Sequence, residues 1–275
     1  MSAPGRYRAP LALWLALTVL GCVALARAEL QRLQDAFETD ARIAHRLLSQ
    51  RVVQHDAVLA TLALLQPGAG TDAAEQRLPA LYPQILSVQR RDADASWADP
   101  ALAAAEAQSR SARRAALADV DFAGGRYRLV LAGEPASFAA QFDLRQVVPW
   151  NEWQMAPQAS PVRLALEHAG QRYLVQPGHG SGPWSFGFRK HLASDSQPFD
   201  VVAQRTVGWA ELPWSWMLGW ATLVALAVAG WQWLRRQRAE RQRAEELLRL
   251  GQVARLNTLG ELAAGMAHEL NQPLA

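Results

Sequence analysis

Cysteine is nearly absent: Cys22 is the only one in the 275 residues. A domain exported from this chain can therefore hold no internal disulfide, even in an oxidising compartment. Glycine and proline are missing from Glu29 to Gln66, so nothing there interrupts a long helix. Metal-ligand spacings are missing as well. His45, His55, His168, His179 and His191 are scattered and read as solvated or hydrogen-bonded side chains. The position four after His268 is Gln272 rather than a second histidine, which disfavours a zinc protease. The net charge of +3 is modest. Much of the excess lies in arginines beside an apolar run, so it is no sign of nucleic-acid binding.

Two uncharged apolar runs divide the chain. The first, Pro10 to Ala26, lies between Arg8 and Arg27, and the second, Leu212 to Leu234, between Glu211 and Arg235. Each approaches the roughly 20 residues that span a hydrocarbon core. Trp214, Trp216 and Trp220 sit near one end of the second run and Trp231 and Trp233 near the other, where an indole, apolar in body and polar at N–H, suits the interface. Arg6 and Arg8 precede the first run, and Arg235, Arg236, Arg238, Arg241 and Arg243 follow the second. By the positive-inside rule both termini are then cytoplasmic. The arginines after the second run favour anionic lipid headgroups. The expected order is a cytoplasmic N-terminus (1–9), a first transmembrane helix (10–27), an extracytoplasmic domain (28–211), a second transmembrane helix (212–234), a linker helix (235–255) and a final segment (256–275). Ala26-Arg27-Ala28 resembles a signal-peptidase site and Val19-Leu20-Gly21-Cys22 an imperfect lipoprotein box. Cleavage or acylation at Cys22 stays open as an alternative fate of the first run.

In the exported segment Leu30, Leu33, Phe37, Ala41, Ala44, Leu48, Val52, Val58, Leu62 and Leu65 recur at helical spacing until Gln66-Pro67-Gly68. This predicts a helix of about forty residues that extends the first span. Either a second copy of the chain covers its apolar stripe, or its own domain does. Further helices are predicted from Asp72 to about Leu81 and from Ala101 to Ala115. Strands are expected at Ile85–Arg91, Phe138–Leu144, Trp184–Phe188 and Phe199–Gln204. Hairpins are expected at Leu117–Phe122/Tyr127–Leu131 and Val162–His168/Arg172–Val175. A long helix followed by a mostly antiparallel sheet with interspersed helices is an α+β arrangement. Trp150 and Trp153 either line a pocket or pack, and packing is favoured. Arg126, Arg128, Arg163 and Arg172 offer bidentate carboxylate recognition, against which a plain charged face is favoured.

Beyond Leu234 the residues to Glu246 are good helix formers. Leu247, Leu250, Val253, Leu256, Leu259, Ala263, Met266 and Leu270 then recur every three or four positions, like a bundle seam. With Leu256 and Ala263 at heptad a, Leu259 and Met266 fall at d, and His268 falls at f, away from the seam. The stretch from Leu256 to Ala275 ends His268-Glu269-Leu270-Asn271-Gln272-Pro273-Leu274-Ala275.

That stretch resembles the phosphoacceptor box of bacterial sensor histidine kinases of two-component systems, in which the histidine is followed by an acid and, five residues on, by proline. The Asn-Gln-Pro wording is similar to the subgroup that includes the C4-dicarboxylate sensors. The element order of 28–211, with Tyr82-Pro83-Gln84-Ile85 and the run ending at Trp209, resembles PAS-like sensor folds of the Cache and CHASE types.

The resemblance implies His268 as phosphoacceptor, Glu269 as the group that orients and activates it, and Pro273 as the site of a helix bend. Gln272 stands where the family often has Thr or Asn to position water for dephosphorylation. The implied partners are a second copy of the chain, a response regulator, membrane lipid and an extracytoplasmic small molecule, with no nucleic acid. ATP and Mg2+ would be bound by a separate domain of the full-length protein. No glycine-rich nucleotide box occurs in this sequence, so the chain alone is expected to bind no cofactor or metal and to be inactive by itself. The competing reading is a non-enzymatic membrane receptor or anchor whose tail only dimerises.

Overall fold

The computed structural model describes residues 8–65 and 78–270. The chain divides into two compact units. One is made from the described residues of 1–28 and 213–275, the other from Glu29–Leu212.

The first unit is helical. Helix α1 (Arg8–Leu65) begins in it, and the C-terminal helix Trp214–Leu270 supplies the rest. Two helices are long and apolar enough to cross a membrane, within Pro10–Leu65 and Trp214–Gln252. The second starts at Trp214, two residues later than the expected Leu212. Pro213 caps it: its carbonyl accepts the Met217 N–H at 3.1 Å, and its own missing N–H is needed by no helical partner. Leu11, Leu15, Leu20, Trp216, Leu218 and Leu226 are exposed, as lipid-facing side chains are. The two apolar helices nevertheless touch. Trp14 Nε1 donates to the Ala221 carbonyl at 3.3 Å, and Trp220 Nε1 donates to the Leu17 carbonyl at 3.1 Å. Gly21 is buried beneath Trp220, the close approach that small residues permit between helices in lipid.

The second unit is α+β. The part of α1 from Glu29 onward carries two four-stranded antiparallel sheets. The first contains β1 (Ile85–Asp92), β2 (Ala116–Asp121), β3 (Arg126–Leu131) and β4 (Ala136–Asp143), in the order β1-β4-β3-β2. The second contains β5 (Val162–His168), β6 (Gln171–Gln176), β7 (Trp184–His191) and β8 (Asp200–Val207), in the order β6-β5-β8-β7. Both expected hairpins form. Gly125 at φ +68 turns the first, and Ala169 and Gly170, at φ 48 and 80, turn the second, the paired left-handed residues of a two-residue hairpin loop. The strand at 184 runs on to His191, and the strand expected from Phe199 to Gln204 spans Asp200–Val207 because the two pair along their whole length. Residues 78–81 are helical, and the rest of the helix expected from Asp72 lies outside the described residues.

Helix α2 (Pro100–Ala112) stops three residues before the expected Ala115. Asp99 caps its start by accepting the Ala101 N–H at 2.9 Å, and Arg113, at φ 54, ends it. Ser109 Oγ then donates to the Arg114 carbonyl at 2.6 Å and accepts the Ala132 N–H at 2.9 Å, which turns the chain into β2. The four-residue helix α3 (Leu144–Val147) follows β4, and α4 is Trp214–Leu270.

The stripe on α1 packs within its own unit. Phe37, Ala41, Ala44, Leu48, Val52, Leu59 and Leu62 are buried in one cluster with Tyr127, Phe138 and Phe142 of the first sheet and Leu164, Phe199 and Val201 of the second unit half. Phe37 meets Phe186 of β7, and His55 stacks on Phe142 of β4 at 4.3 Å between centroids. From Phe37 to Leu62 the stripe is therefore covered by its own unit, the second of the two outcomes the sequence leaves open, while Leu65 at its end is exposed. The central strands of the first sheet are covered twice, since Val130 and Ala139 on the opposite face pack against Leu102 and Ala105 of α2.

Candidate functional site

His268 and Glu269 lie in the last turn of α4, which runs unbroken from Trp214 to Leu270. Gln272 and Pro273, with the water-positioning and bending expected of them, lie outside the described residues. The helix therefore joins the apolar run, the arginine-rich linker and the start of the segment from Leu256 without an interruption. At 1.5 Å per residue His268 stands about 50 Å along the axis from Arg235. The Arg235 guanidinium lies 4.0 Å from the centre of the Trp231 ring, a cation–π contact that fixes the end of the apolar run. Continuity of the helix places the seam positions read from the sequence on one helix with position 268. Leu247, Leu250 and Leu259 are 69%, 66% and 63% exposed. Among the described residues nothing covers these three leucines.

The second candidate region is in the other unit. Most of the arginines singled out from the sequence are committed to the chain's own carboxylates. Arg126 pairs with Asp121, Arg128 with Asp119 and Asp99, and Arg172 with Glu167. Arg163 is exposed on β5. Trp150 and Trp153 pack edge to face at 5.8 Å, and Trp153 Nε1 donates to the buried Gln176 at 3.1 Å. His168 and His191 contact the Pro198 carbonyl and Asp200, and His45 the His191 carbonyl. His179 is exposed. Among the described residues no group of three His, Cys, Asp or Glu could hold a metal ion.

His55 is different, and sequence reasoning missed its surroundings. It is 1% exposed, with Nδ1 2.8 Å from the Tyr127 hydroxyl. The Tyr127 hydroxyl donates to Gln197 Oε1 at 2.7 Å, and Gln197 Nε2 donates to the Val52 carbonyl at 2.9 Å. The amide orientation is set by that second bond. Tyr127 therefore accepts from His55, and the neutral imidazole carries its proton on Nδ1. Its Nε2 is buried with no partner. Burial pushes the His55 imidazole down to about 4, the Gln197 hydrogen bond opposes this, and the nearby Arg51 charge adds to it. Burial likewise pushes the Tyr127 hydroxyl well above its ordinary value, with Asp56 adding to the effect. Beside this trio, Asp56 accepts from Ser196 at 2.5 Å and from Ser194. The cluster ties α1, β3 and the segment between β7 and β8 together. No spacing rule links positions 55, 127 and 197, so only the fold reveals it.

A second buried hub centres on Glu106 of α2. Burial alone would raise its carboxyl, but hydrogen bonds from Ser137, Arg91, Trp97 and Arg110 outweigh that and hold it at about 2. Its acceptor capacity is filled from β1, β4, α2 itself and the loop bearing Trp97, which makes it a structural tie rather than a reactive acid.

No protein-family model matches the chain, and no curated protein or solved structure matches it.

Proposed function

We propose that the chain is the sensing and phosphoacceptor portion of a bacterial sensor histidine kinase in a two-component phosphorelay. The observation that carries the reading is that His268-Glu269 lies on the same uninterrupted helix as the second apolar run. An α+β unit between two apolar helices and the uncovered leucine seam after the arginines support it. In this reading the two apolar helices cross the inner membrane with both termini in the cytoplasm. The Glu29–Leu212 unit, a PAS-like sensor, then meets an extracytoplasmic small molecule, and the seam pairs α4 with its counterpart in a homodimer.

The chemistry asks for these residue types. A histidine of ordinary pKa, near 6.5, is largely neutral at cytoplasmic pH and offers a ring nitrogen lone pair to phosphorus. That nitrogen attacks the γ-phosphoryl group, the bond to the β-phosphate oxygen breaks, and ADP leaves. Glu269 accepts a hydrogen bond from the other ring nitrogen and stabilises the charge that develops on the ring. The phosphoryl group then passes to an aspartate of a response regulator. ATP and Mg2+ belong to an ATP-binding domain outside these residues.

The test supplies that domain separately. The chain in detergent is mixed with a histidine-kinase ATP-binding domain and ATP labelled at the γ-phosphate. The expected result is acid-labile, base-stable label on the chain that disappears in His268→Gln. Label that persists in His268→Gln, or none with a cognate domain, rejects the kinase reading in favour of a receptor or anchor whose tail only dimerises.

A further inference from the structure

Helix α1 is buried on one side, yet its outward face between Arg46 and Gln54 forms the floor of a cleft of about 480 Å³. The loop bearing Pro149 and Glu152 makes one wall and Ala193 the other. Two guanidinium groups border this space. Arg46 is exposed and has no carboxylate partner among the described residues. Arg51 has one, Glu152, but the two stand 3.6 Å apart, beyond hydrogen-bond length. That contrasts with the hairpin arginines, whose carboxylates sit at 2.6–3.1 Å in Arg126–Asp121 and Arg128–Asp119. Gln50 and Gln54 add carboxamides to the same floor, and Gln54 already accepts from Arg51 at 3.2 Å. The cleft therefore offers more cationic and donor capacity than its single acid uses.

The geometry points to a binding site for a small oxyanion, a carboxylate or phosphate solute, held by Arg46 and Arg51 with Glu152 as the group it displaces. An ion pair as loose as that between half-buried Arg51 and exposed Glu152 contributes little stability, so a better-placed anion replaces it readily. A planar guanidinium takes a carboxylate or phosphate in two parallel hydrogen bonds. The site also has a mechanical consequence. Ala193 N–H donates to Ser49 on the cleft floor at 3.3 Å, and the adjoining Ser194 and Ser196 hold Asp56 about two turns further on. An anion seated here touches α1 where the helix is already tied to the sheets. This inference rests on the receptor part of the proposed function and names the class of its ligand.

The experiment is a calorimetric titration of the full chain in phosphatidylcholine nanodiscs with inorganic phosphate, acetate and malonate, with malonamide as the uncharged control. At least one anion binds saturably and malonamide does not. Arg46→Gln and Arg51→Gln each weaken that binding about tenfold, as loss of a charge-assisted hydrogen bond does. Glu152→Gln, which removes the internal competitor, tightens it severalfold, a gain that a merely structural role would not produce. No saturable binding of any anion, or unchanged affinity in both arginine variants, overturns the proposal. So does weaker binding in Glu152→Gln. Repeating the titration in phosphatidylglycerol nanodiscs separates solute from lipid: equal affinity keeps the solute, and loss assigns the cleft to headgroups and overturns the solute assignment. The titration needs no ATP and does not involve His268, so its failure and failure of the kinase reading are separate results.

Discussion

Gly21 lies directly under the Trp220 indole, so close that a Cβ on Gly21 would stand 1.9 Å from Trp220 Nε1. The same indole N–H reaches the Leu17 carbonyl one turn earlier on α1. A side chain at position 21 therefore costs both a packing contact and a hydrogen bond between the two helices.

Gly21→Val should lower the unfolding midpoint in detergent, with an overpacking cost of about 1–3 kcal/mol. Trp220→Ala removes the obstacle, so the double variant should be no less stable than Trp220→Ala alone. Additive losses in that double-mutant cycle would show that the two residues do not share one contact.

His55 makes stability depend on pH in a defined window. Its folded value, about 4, lies below its ordinary 6.5, so between those values the unfolded state binds the proton and the folded state does not. Stability is complete above pH 6.5 and is lost as pH falls towards 4, by about 3 kcal/mol for this group. Denaturant titrations followed by near-UV circular dichroism should show that slope, and His55→Gln should flatten it. An unchanged slope in the variant would place the titrating group elsewhere.

Glu106 shifts in the same direction, in a more acidic window. Its carboxyl is held at about 2 against an ordinary 4.5, so its contribution is present above pH 4.5 and fades as pH falls towards 2. Glu106→Ala leaves Arg91, whose side chain is 14% exposed, without its carboxylate. A loss of about 3–5 kcal/mol is expected at neutral pH. Denaturant midpoints of the variant against the parent chain measure it.

The seam on α4 gives a test of assembly. Leu250→Asp and Leu259→Asp each place a charge among exposed leucines that the proposed dimer would bury. Light scattering of the detergent-solubilised chain should move from dimer to monomer in either variant. A monomeric parent chain would instead remove the dimer from the reading.

Much of the architecture is legible in the sequence because it rests on local chemistry. The absence of glycine and proline after Glu29 allows α1, and Ala123-Gly124-Gly125 and Ala169-Gly170 turn both hairpins. Asp99-Pro100 starts α2 by capping, but its end at Ala112 depends on Ser109 reaching Arg114 and Ala132, contacts made only when the sheet is in place. The sequence shows the α1 stripe but not its partner, because apolar periodicity records a buried face and not the surface that buries it. The phosphoacceptor proposal rests on a pattern of neighbouring residues, His268-Glu269 to Pro273, so it comes from the sequence and not from the fold. The His55–Tyr127–Gln197 cluster and the anion cleft are assembled from distant segments, and no local pattern announces them.

Gln197 gives its amide to the carbonyl of Val52 in the middle of α1, and Ser196 binds Asp56 across 140 positions of sequence. Neither segment can then fray alone without stranding a buried polar group of the other. Native-state amide exchange in the two stretches should follow a single opening event, so that a helix turn and a distant connecting segment behave as one cooperative unit.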